Sequence, residues 1–313
     1  MTAAIAPLPP CVAVVVLDWN GVSDTVRCLE SLSRSDWPRL ETIIVDNGSD
    51  QPLAPVIRDR FPNAVVIRSE SNLGFAGGMN VGVRRALDGR ADYVLLLNND
   101  TIVDASTIRQ LVQEAEAHPD AGIVSPLVLT RDAPERIASA GARFDPRRGH
   151  PGRPLLAGEP AADLHGVREV DASSGEAMLV SATAINEVGM LDGALYLRLE
   201  DIDWSLRMRA AGRRNYVVLD ARVWHAVSAS SGGEHSPLNA YYHTRNILFV
   251  CARHAPMRGL RALAREGEVL LANLIHARRG SRPLANARAA VAGWRDYRRG
   301  RSGRREVRAR IPS

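Results

Sequence analysis

The sequence predicts an α/β fold with a Rossmann-like, mostly parallel central sheet, flanking helices and a helical C-terminal extension. Three observations carry that expectation. Apolar runs of strand length alternate with helical periodicity through about the first 100 residues, polar clusters follow directly on those runs, and a helical, arginine-rich pattern takes over beyond Leu238.

The first unit is a Val-rich run, Val12 to Leu17, followed by the turn-like Asp18-Trp19-Asn20-Gly21 and helical periodicity from Thr25 to Leu32. The unit recurs. Glu41 to Val45 reads as a strand ending in Asp46-Asn47-Gly48-Ser49-Asp50, and Ala64 to Ile67 as another before the glycine-rich Asn72 to Gly78. Met79 to Leu87 reads as a helix, and Tyr93 to Leu97 as a fourth strand ending at Asn98-Asn99-Asp100. Open α/β sheets bind ligands beyond the carboxyl ends of their strands, so three polar clusters converge on one crevice.

Residues 131–170, with Pro134, Pro146, Pro151, Pro154 and Pro160, read as a long irregular region or a hairpin at the sheet edge. Asn215 to Val223 is a further strand, and Leu260 to Ala277 and Asn286 to Tyr297 are helical. A Ser/Gly cluster near Ser230 to Pro237 sets the expected division into a nucleotide-binding domain, 11–235, and a basic helical extension, 236–313.

The chain has 313 residues, enough for one large core, and its 45% hydrophobic and 24% charged content belongs to a folded protein rather than a disordered one. No apolar stretch reaches the roughly 20 residues of a membrane span, and no basic segment precedes an apolar one at the start. A cytoplasmic location follows as the expectation. Cys11, Cys28 and Cys251 lack CxxC spacing and read as reduced packing residues. Residues 253–313 hold sixteen Arg against four acids, a net of +12, so the remaining 252 residues carry −7. A basic tail on an acidic body points to peripheral contact with an anionic membrane at its inner face. With only Trp294 and Tyr297 interleaved among the arginines, nucleic acid is the weaker partner.

Asp100 is one hard carboxylate flanked by amides at a strand end, which suits Mg²⁺ or Mn²⁺ bridging diphosphate oxygens, because these ions take few protein ligands. Gly74, Gly77, Gly78 and Gly82 are read as supplying positive-φ positions and close backbone approach before a helix N-terminus, a place for a phosphate. Glu200, Asp201 and Asp203 crowd three carboxylates into a first helical turn, a costly arrangement that a general base would use. His225, after a strand and before a Ser/Gly segment, is the candidate second metal ligand, with Ser228 to Gly233 as a loop ordering over substrate.

In order along the chain, VVLDWNG, IIVDNGSD, NLGFAGGMNVG, LLLNND, SSGEAMLV, LEDIDWSLRMRAAG, the Trp-His pair and YYHTRN resemble glycosyltransferase family 2, in its rhamnosyltransferase-like branch, over about residues 12–250. The resemblance implies a GT-A fold and an inverting transferase that moves one sugar from a nucleotide-sugar donor, dTDP-rhamnose foremost, to a hydroxyl of a lipid-linked or polysaccharide acceptor. It assigns Asp46 to the base or ribose, Asn99 with Asp100 to the metal motif, His225 to completing the metal site and Asp201 to the catalytic base. Asp18, Asn20, Asn47, Asn72, Gly77, Gly78, Asn80 and Asn98 are the further donor-binding positions, and Glu200, Asp203, Trp204 and Arg245 the acceptor or loop positions. The alternative is a non-catalytic nucleotide-sugar-binding subunit of the same fold, which has no use for Asp201. A nucleotidyltransferase is disfavoured, because DWNGVSDT is not a basic, glycine-rich phosphate loop.

Overall fold

The computed structural model describes residues 8–145, 150–226 and 236–305. Its first strand, β1 (Val12–Asp18), shows why the apolar runs extend: Val12, Val14 and Val16 enter one core and Ala13 and Val15 the other. A strand buried on both faces needs β-branched side chains on each side of the pleat. β4 (Tyr93–Asn98) repeats the pattern, with Tyr93, Leu95 and Leu97 on the first face and Val94 and Leu96 on the second. Helices α1 (Val22–Leu32), α2 (Ala54–Arg60) and α4 (Thr107–Ala117) cover the first face. α3 (Gly74–Asp88), α5 (Ala182–Val188) and α6 (Glu200–Ala210) cover the second. The sheet is therefore the middle layer of three.

With β2 (Leu40–Asp46), β3 (Val65–Arg68), β6 (Ala121–Thr130), β10 (Val167–Val170), β11 (Ala177–Ser181) and β12 (Arg214–His225), the sheet runs β10-β12-β6-β11-β4-β1-β2-β3. β3, β2, β1 and β4 are parallel; β11 is antiparallel to both β4 and β6, β12 is parallel to β6, and β10 is antiparallel at the edge. The mostly parallel sheet stands along this path, mixed by two reversed strands, β10 and β11. Two more reversed strands lie off it: short β5 (Thr101–Val103) pairs with β12, and β7 (Ala133–Ser139) with β6. The proline-rich stretch resolves into β7, the hairpin of β8 (Ala142–Asp145) with β9 (His150–Pro154), and β10.

Register puts the polar strand ends level, with Asp18 opposite Asp46 and Leu17 opposite Asn98. The C-terminal segment forms α7 (Pro237–His254), α8 (Gly259–Ala277) and α9 (Pro283–Arg298). α7 and α9 touch closely at Gly293, where a Cβ would lie 2.4 Å from the Tyr241 carbonyl oxygen. Cys28 and Cys251 are buried and in no disulfide, and burial pushes both thiols up. The expected 228–233 loop lies outside the described residues, as does most of the expected 230–237 boundary.

Candidate active site

The first two strand ends are wired to each other. Asp18 is fully buried; one carboxylate oxygen accepts from the Gly21 N–H (3.1 Å), the Thr25 hydroxyl (2.6 Å) and the Asn99 amide (3.1 Å), and the other from the Ser49 hydroxyl (3.2 Å). Burial pushes its pKa up, against those hydrogen bonds. Asp18 thus shapes the loop and shows no surface to a ligand. Asn20, at φ 56°, accepts from the Asp50 N–H and so ties the β1–α1 and β2–α2 loops together. Asp46, also buried, accepts from the Ser49 and Leu53 N–H groups and from Arg68 at 2.6 Å. Burial alone would raise its pKa, but these donors and the Arg68 charge hold it below the usual carboxylate range.

Asn47 accepts from the Leu73 N–H and donates to the Gly74 carbonyl, and Asn72 Oδ1 accepts from the Gly74 N–H and the Tyr196 hydroxyl. Only Gly74 of the four glycines has positive φ, 76°, and a Cβ there would lie 2.3 Å from the Tyr196 carbonyl oxygen. The helix starts at Gly74, not Met79, so Gly77, Gly78 and Gly82 sit inside it. Gly78 and Gly82 let α3 approach the sheet: a Cβ would meet Leu17 at 2.5 Å and Val15 at 2.2 Å, respectively. Their role is helix-to-sheet packing, which corrects the positive-φ phosphate turn. Asn80 likewise turns into the fold, donating to the Leu191 carbonyl.

Beyond β4, the Asn99 amide is spent on Asp18 and Thr25. Asp100 Oδ1 faces His225 Nε2 at 3.1 Å, and Glu176 Oε1 lies 3.9 Å from His225 Nδ1. Burial would lower the imidazole pKa, but the hydrogen bond to Asp100 and the charges of Glu176 and Asp100 raise it. Two adjacent ligands on an octahedral ion with bonds of about 2.1 Å sit about 3 Å apart. Asp100 and His225 fit that edge. Among the described residues no cluster of three His, Cys, Asp or Glu side chains could enclose an ion, so an ion on this pair would need further ligands from elsewhere.

The acidic turn begins after a strained loop. Tyr196, Arg198 and Leu199 have φ of 65°, 72° and 70°, conformations that non-glycine residues hold only when their surroundings enforce them. The enforcement comes from α7. Asn246 Nδ2 lies 2.9, 2.8 and 2.9 Å from the carbonyl oxygens of Leu195, Leu197 and Arg198, and Arg245 donates to the Leu195 and Gly303 carbonyls. Arg245 is fully buried between those carbonyls and the Tyr241 and Tyr242 rings, so it clamps the loop and does not reach the cleft. Asn246, Glu176 and Tyr196 were not singled out from the sequence; YYHTRN and SSGEAMLV held the first two only as parts of whole motifs.

The three carboxylates then separate by environment. Asp203 is fully buried and paired with Arg207, Arg253 and His254, which hold its pKa down against burial. Trp204 is core, its indole donating to the Gly189 carbonyl. Neither faces the cleft. Asp201 accepts from the Gly175 and Ile202 N–H groups, and burial, with the charge of Glu176, pushes it up to about 6. Burial and the charge of Asp201 push Glu200 up to about 8.

Two hollows meet at Phe75, Asn98, Asp100 and Leu197. One, about 330 Å³, lies over the β1, β2 and β4 ends between Trp19, Asn47, Asn72, Tyr196 and, from the C-terminal segment, Tyr242 and Arg305. The other, about 470 Å³, holds Asp201, Glu200, Glu176, Ser173 and His225. Among the described residues, eight buried side-chain polar atoms have no hydrogen-bond partner, and four of them, on Asn98, Ser173, Glu176 and Glu200, line this second hollow. Buried polar atoms left unpaired in one cavity mark where a ligand supplies the partners.

A Rossmann-like half that gathers its polar strand ends into a cleft, with a carboxylate at the β4 terminus and a second hollow beside it, is the arrangement of the GT-A fold. The solved structure of GalNAc-T7 with UDP, GalNAc and Mn²⁺ superposes with a TM-score of 0.60 at 19% identity, over 77% of this chain and 48% of that one. Residues 9–245 match the model of the glycosyltransferase-like family 2, and the chain belongs to that family as a nucleotide-sugar-dependent glycosyltransferase. It is similar to N-acetylglucosaminyl-diphospho-decaprenol L-rhamnosyltransferase of Mycobacterium tuberculosis H37Rv, 26% identical over 270 residues, 78% of this chain and 87% of that protein. It is also similar to the dTDP-rhamnosyl transferase RfbF of Shigella flexneri, 25% identical over 223 residues, 69% and 72% of the two chains.

Proposed function

We propose that the protein transfers a single sugar, rhamnose from dTDP-rhamnose being the leading donor, to a hydroxyl of a lipid-linked or polysaccharide acceptor, with inversion at the anomeric carbon. The nucleotide lies in the hollow over β1, β2 and β4, the base near Asp46 and Asn47 and the diphosphate towards Asp100. The acceptor enters the second hollow. The observation that carries this reading is Asp201 in the wall of a cavity lined by four unpaired polar atoms and continuous with Asp100 and His225.

Asp201, fixed by the Gly175 and Ile202 N–H groups, takes the acceptor hydroxyl proton as that oxygen attacks the anomeric carbon and the nucleoside diphosphate leaves. Asp100 and His225 would hold a divalent ion, Mg²⁺ or Mn²⁺, which would stabilise charge on the departing diphosphate. Glu200, kept protonated by burial, presents a neutral carboxyl to the acceptor. The rhamnosyltransferase relatives support the donor and the diphospho-decaprenol named in one of them supports a lipid-linked acceptor.

The test is thermal stabilisation by a panel of nucleoside diphosphates and nucleotide sugars, with and without Mn²⁺, followed by transfer to a polyprenyl-diphosphate sugar. Mn²⁺-dependent stabilisation by dTDP and dTDP-rhamnose and product formation are expected. Stabilisation by UDP-sugars alone would replace the donor, and binding without turnover would replace the enzyme by a nucleotide-sugar-binding subunit.

A further inference from the structure

α8 is amphipathic in the inverse sense. The face it turns to α7 and α9 carries Arg265, Val269, Asn273 and Ala277; Arg265 donates to the Ala255 carbonyl at 2.7 Å, and Asn273 meets His243 at 2.9 Å. Its outward face carries Leu260, Leu263, Leu271 and Ile275, which are 83%, 51%, 59% and 51% exposed. At 100° per residue these four fall within an arc of about 120°, a continuous apolar stripe. Leu284, just beyond the connecting turn at the start of α9, is 74% exposed. A helix of a water-surrounded protein places its large aliphatic residues inward, and this one does the opposite.

The arginines around it divide in two. Arg253, Arg298 and Arg301 are used inside the fold, paired with Asp192 and Asp203, with Glu266 and with Asp296, respectively. Arg258, Arg261, Arg278, Arg279, Arg282 and Arg288 are exposed, and among the described residues none of them has an ion-pair partner. Unpaired guanidinium groups bordering an exposed leucine stripe complement a surface that is anionic outside and apolar beneath. No helix among the described residues is long and apolar enough to cross a membrane, so such a surface is met lying flat.

We propose that α8 seats its Leu260–Ile275 face in the interface of an anionic bilayer, with the six exposed arginines over the headgroups. The apolar stripe, rather than the arginine count of the tail, is the anchor. Seating there would bring the protein to the membrane that carries a lipid-linked acceptor, a consequence that rests on the proposed acceptor; the seating itself does not.

Flotation with phosphatidylglycerol-containing vesicles and with pure phosphatidylcholine vesicles tests it, on the wild type, Leu260→Gln/Leu271→Gln and Arg261→Gln/Arg278→Gln/Arg279→Gln. Because these side chains are exposed, melting temperature and dTDP binding should be unchanged in both variants, and dTDP binding by the same preparation reports separately on the donor site. The expected result is binding to the anionic vesicles that falls about tenfold or more in each variant. Wild type that floats with neither vesicle overturns the proposal, as does a leucine variant that binds like wild type, which would leave charge alone as the anchor. A wild-type dimer that the leucine substitutions dissociate, without vesicle binding, also overturns it and assigns the stripe to a second copy of the chain.

Discussion

His225 Nε2 stands 3.1 Å from Asp100 Oδ1 because β12 pairs antiparallel with the three-residue β5, placing His225 opposite Thr101 and therefore beside the residue that precedes it. The pairing brings two distant segments together, and the proposed metal site rests on that contact. Asp100→Ala and His225→Ala are each expected to weaken apparent Mn²⁺ affinity in the presence of dTDP by about tenfold or more, read by titration calorimetry. A proton on His225 competes with the ion, and the imidazole pKa is raised, so affinity in the wild type should climb with pH through the imidazole range. Equal Mn²⁺ affinity in all three proteins would place the ion elsewhere.

The transfer reaction should switch on with the ionisation of Asp201. Its pKa is raised to about 6, and only the carboxylate accepts a proton, so kcat/KM should rise with pH through that region and fall away below it. Asp201→Asn keeps the shape and removes the base; a loss of about 10²- to 10⁴-fold in kcat with little change in dTDP affinity is expected. An active Asp201→Asn enzyme with an unaltered pH profile would remove Asp201 from the chemical step.

What the sequence disclosed and what it hid follow from the range of the forces involved. The buried parallel strands were legible because double-sided burial writes a local apolar run, as in Val12 to Leu17 and Tyr93 to Leu97. The strand-end clusters were legible because Asp18, Asp46 and Asp100 follow those runs directly. β6 and β11 carry buried apolar runs of the same kind but were not marked out; what no local run reports is their place in the sheet, fixed by neighbours far along the chain. The same limit applied to side-chain direction. Asp201 and Asp203 are two residues apart on α6, yet one meets the cleft and the other is buried against Arg253 and His254 of α7, which no local pattern reports. The glycines of NLGFAGGMNVG looked like a phosphate turn, but only Gly74 has positive φ, and Gly78 and Gly82 serve the contact of α3 with the sheet.

Glu200 makes stability depend on pH in a definite direction. Its folded pKa, about 8, lies above the ordinary 4.5, so the folded state keeps a proton that the unfolded chain releases. That contribution is fully present below about pH 4.5 and is lost as pH rises through about 8, at up to roughly 1.4 kcal/mol per pH unit between them. Glu200→Gln cannot titrate, so its urea-unfolding free energy should decline less than that of wild type between pH 5.5 and 8.5. Parallel declines would mean that Glu200 is already ionised in the fold.

Asn246 holds the strained loop that leads into Glu200 and Asp201, and its removal should separate catalysis from donor binding. Three carbonyl acceptors, on Leu195, Leu197 and Arg198, share its amide, and the loop keeps positive φ at Tyr196, Arg198 and Leu199 against a cost of about 1–3 kcal/mol each. Asn246→Ala removes the donor to the Leu197 and Arg198 carbonyls, while Leu195 keeps its bond from Arg245, a loss of about 1–3 kcal/mol in stability. The larger consequence is geometric. A base displaced by about 1 Å from its acceptor loses about 100-fold in rate, so kcat should fall by that order while the dTDP dissociation constant changes by less than about tenfold. If melting temperature drops and kcat does not, the loop holds its conformation through Arg245 and the Tyr196–Asn72 bond, and Asn246 serves stability alone.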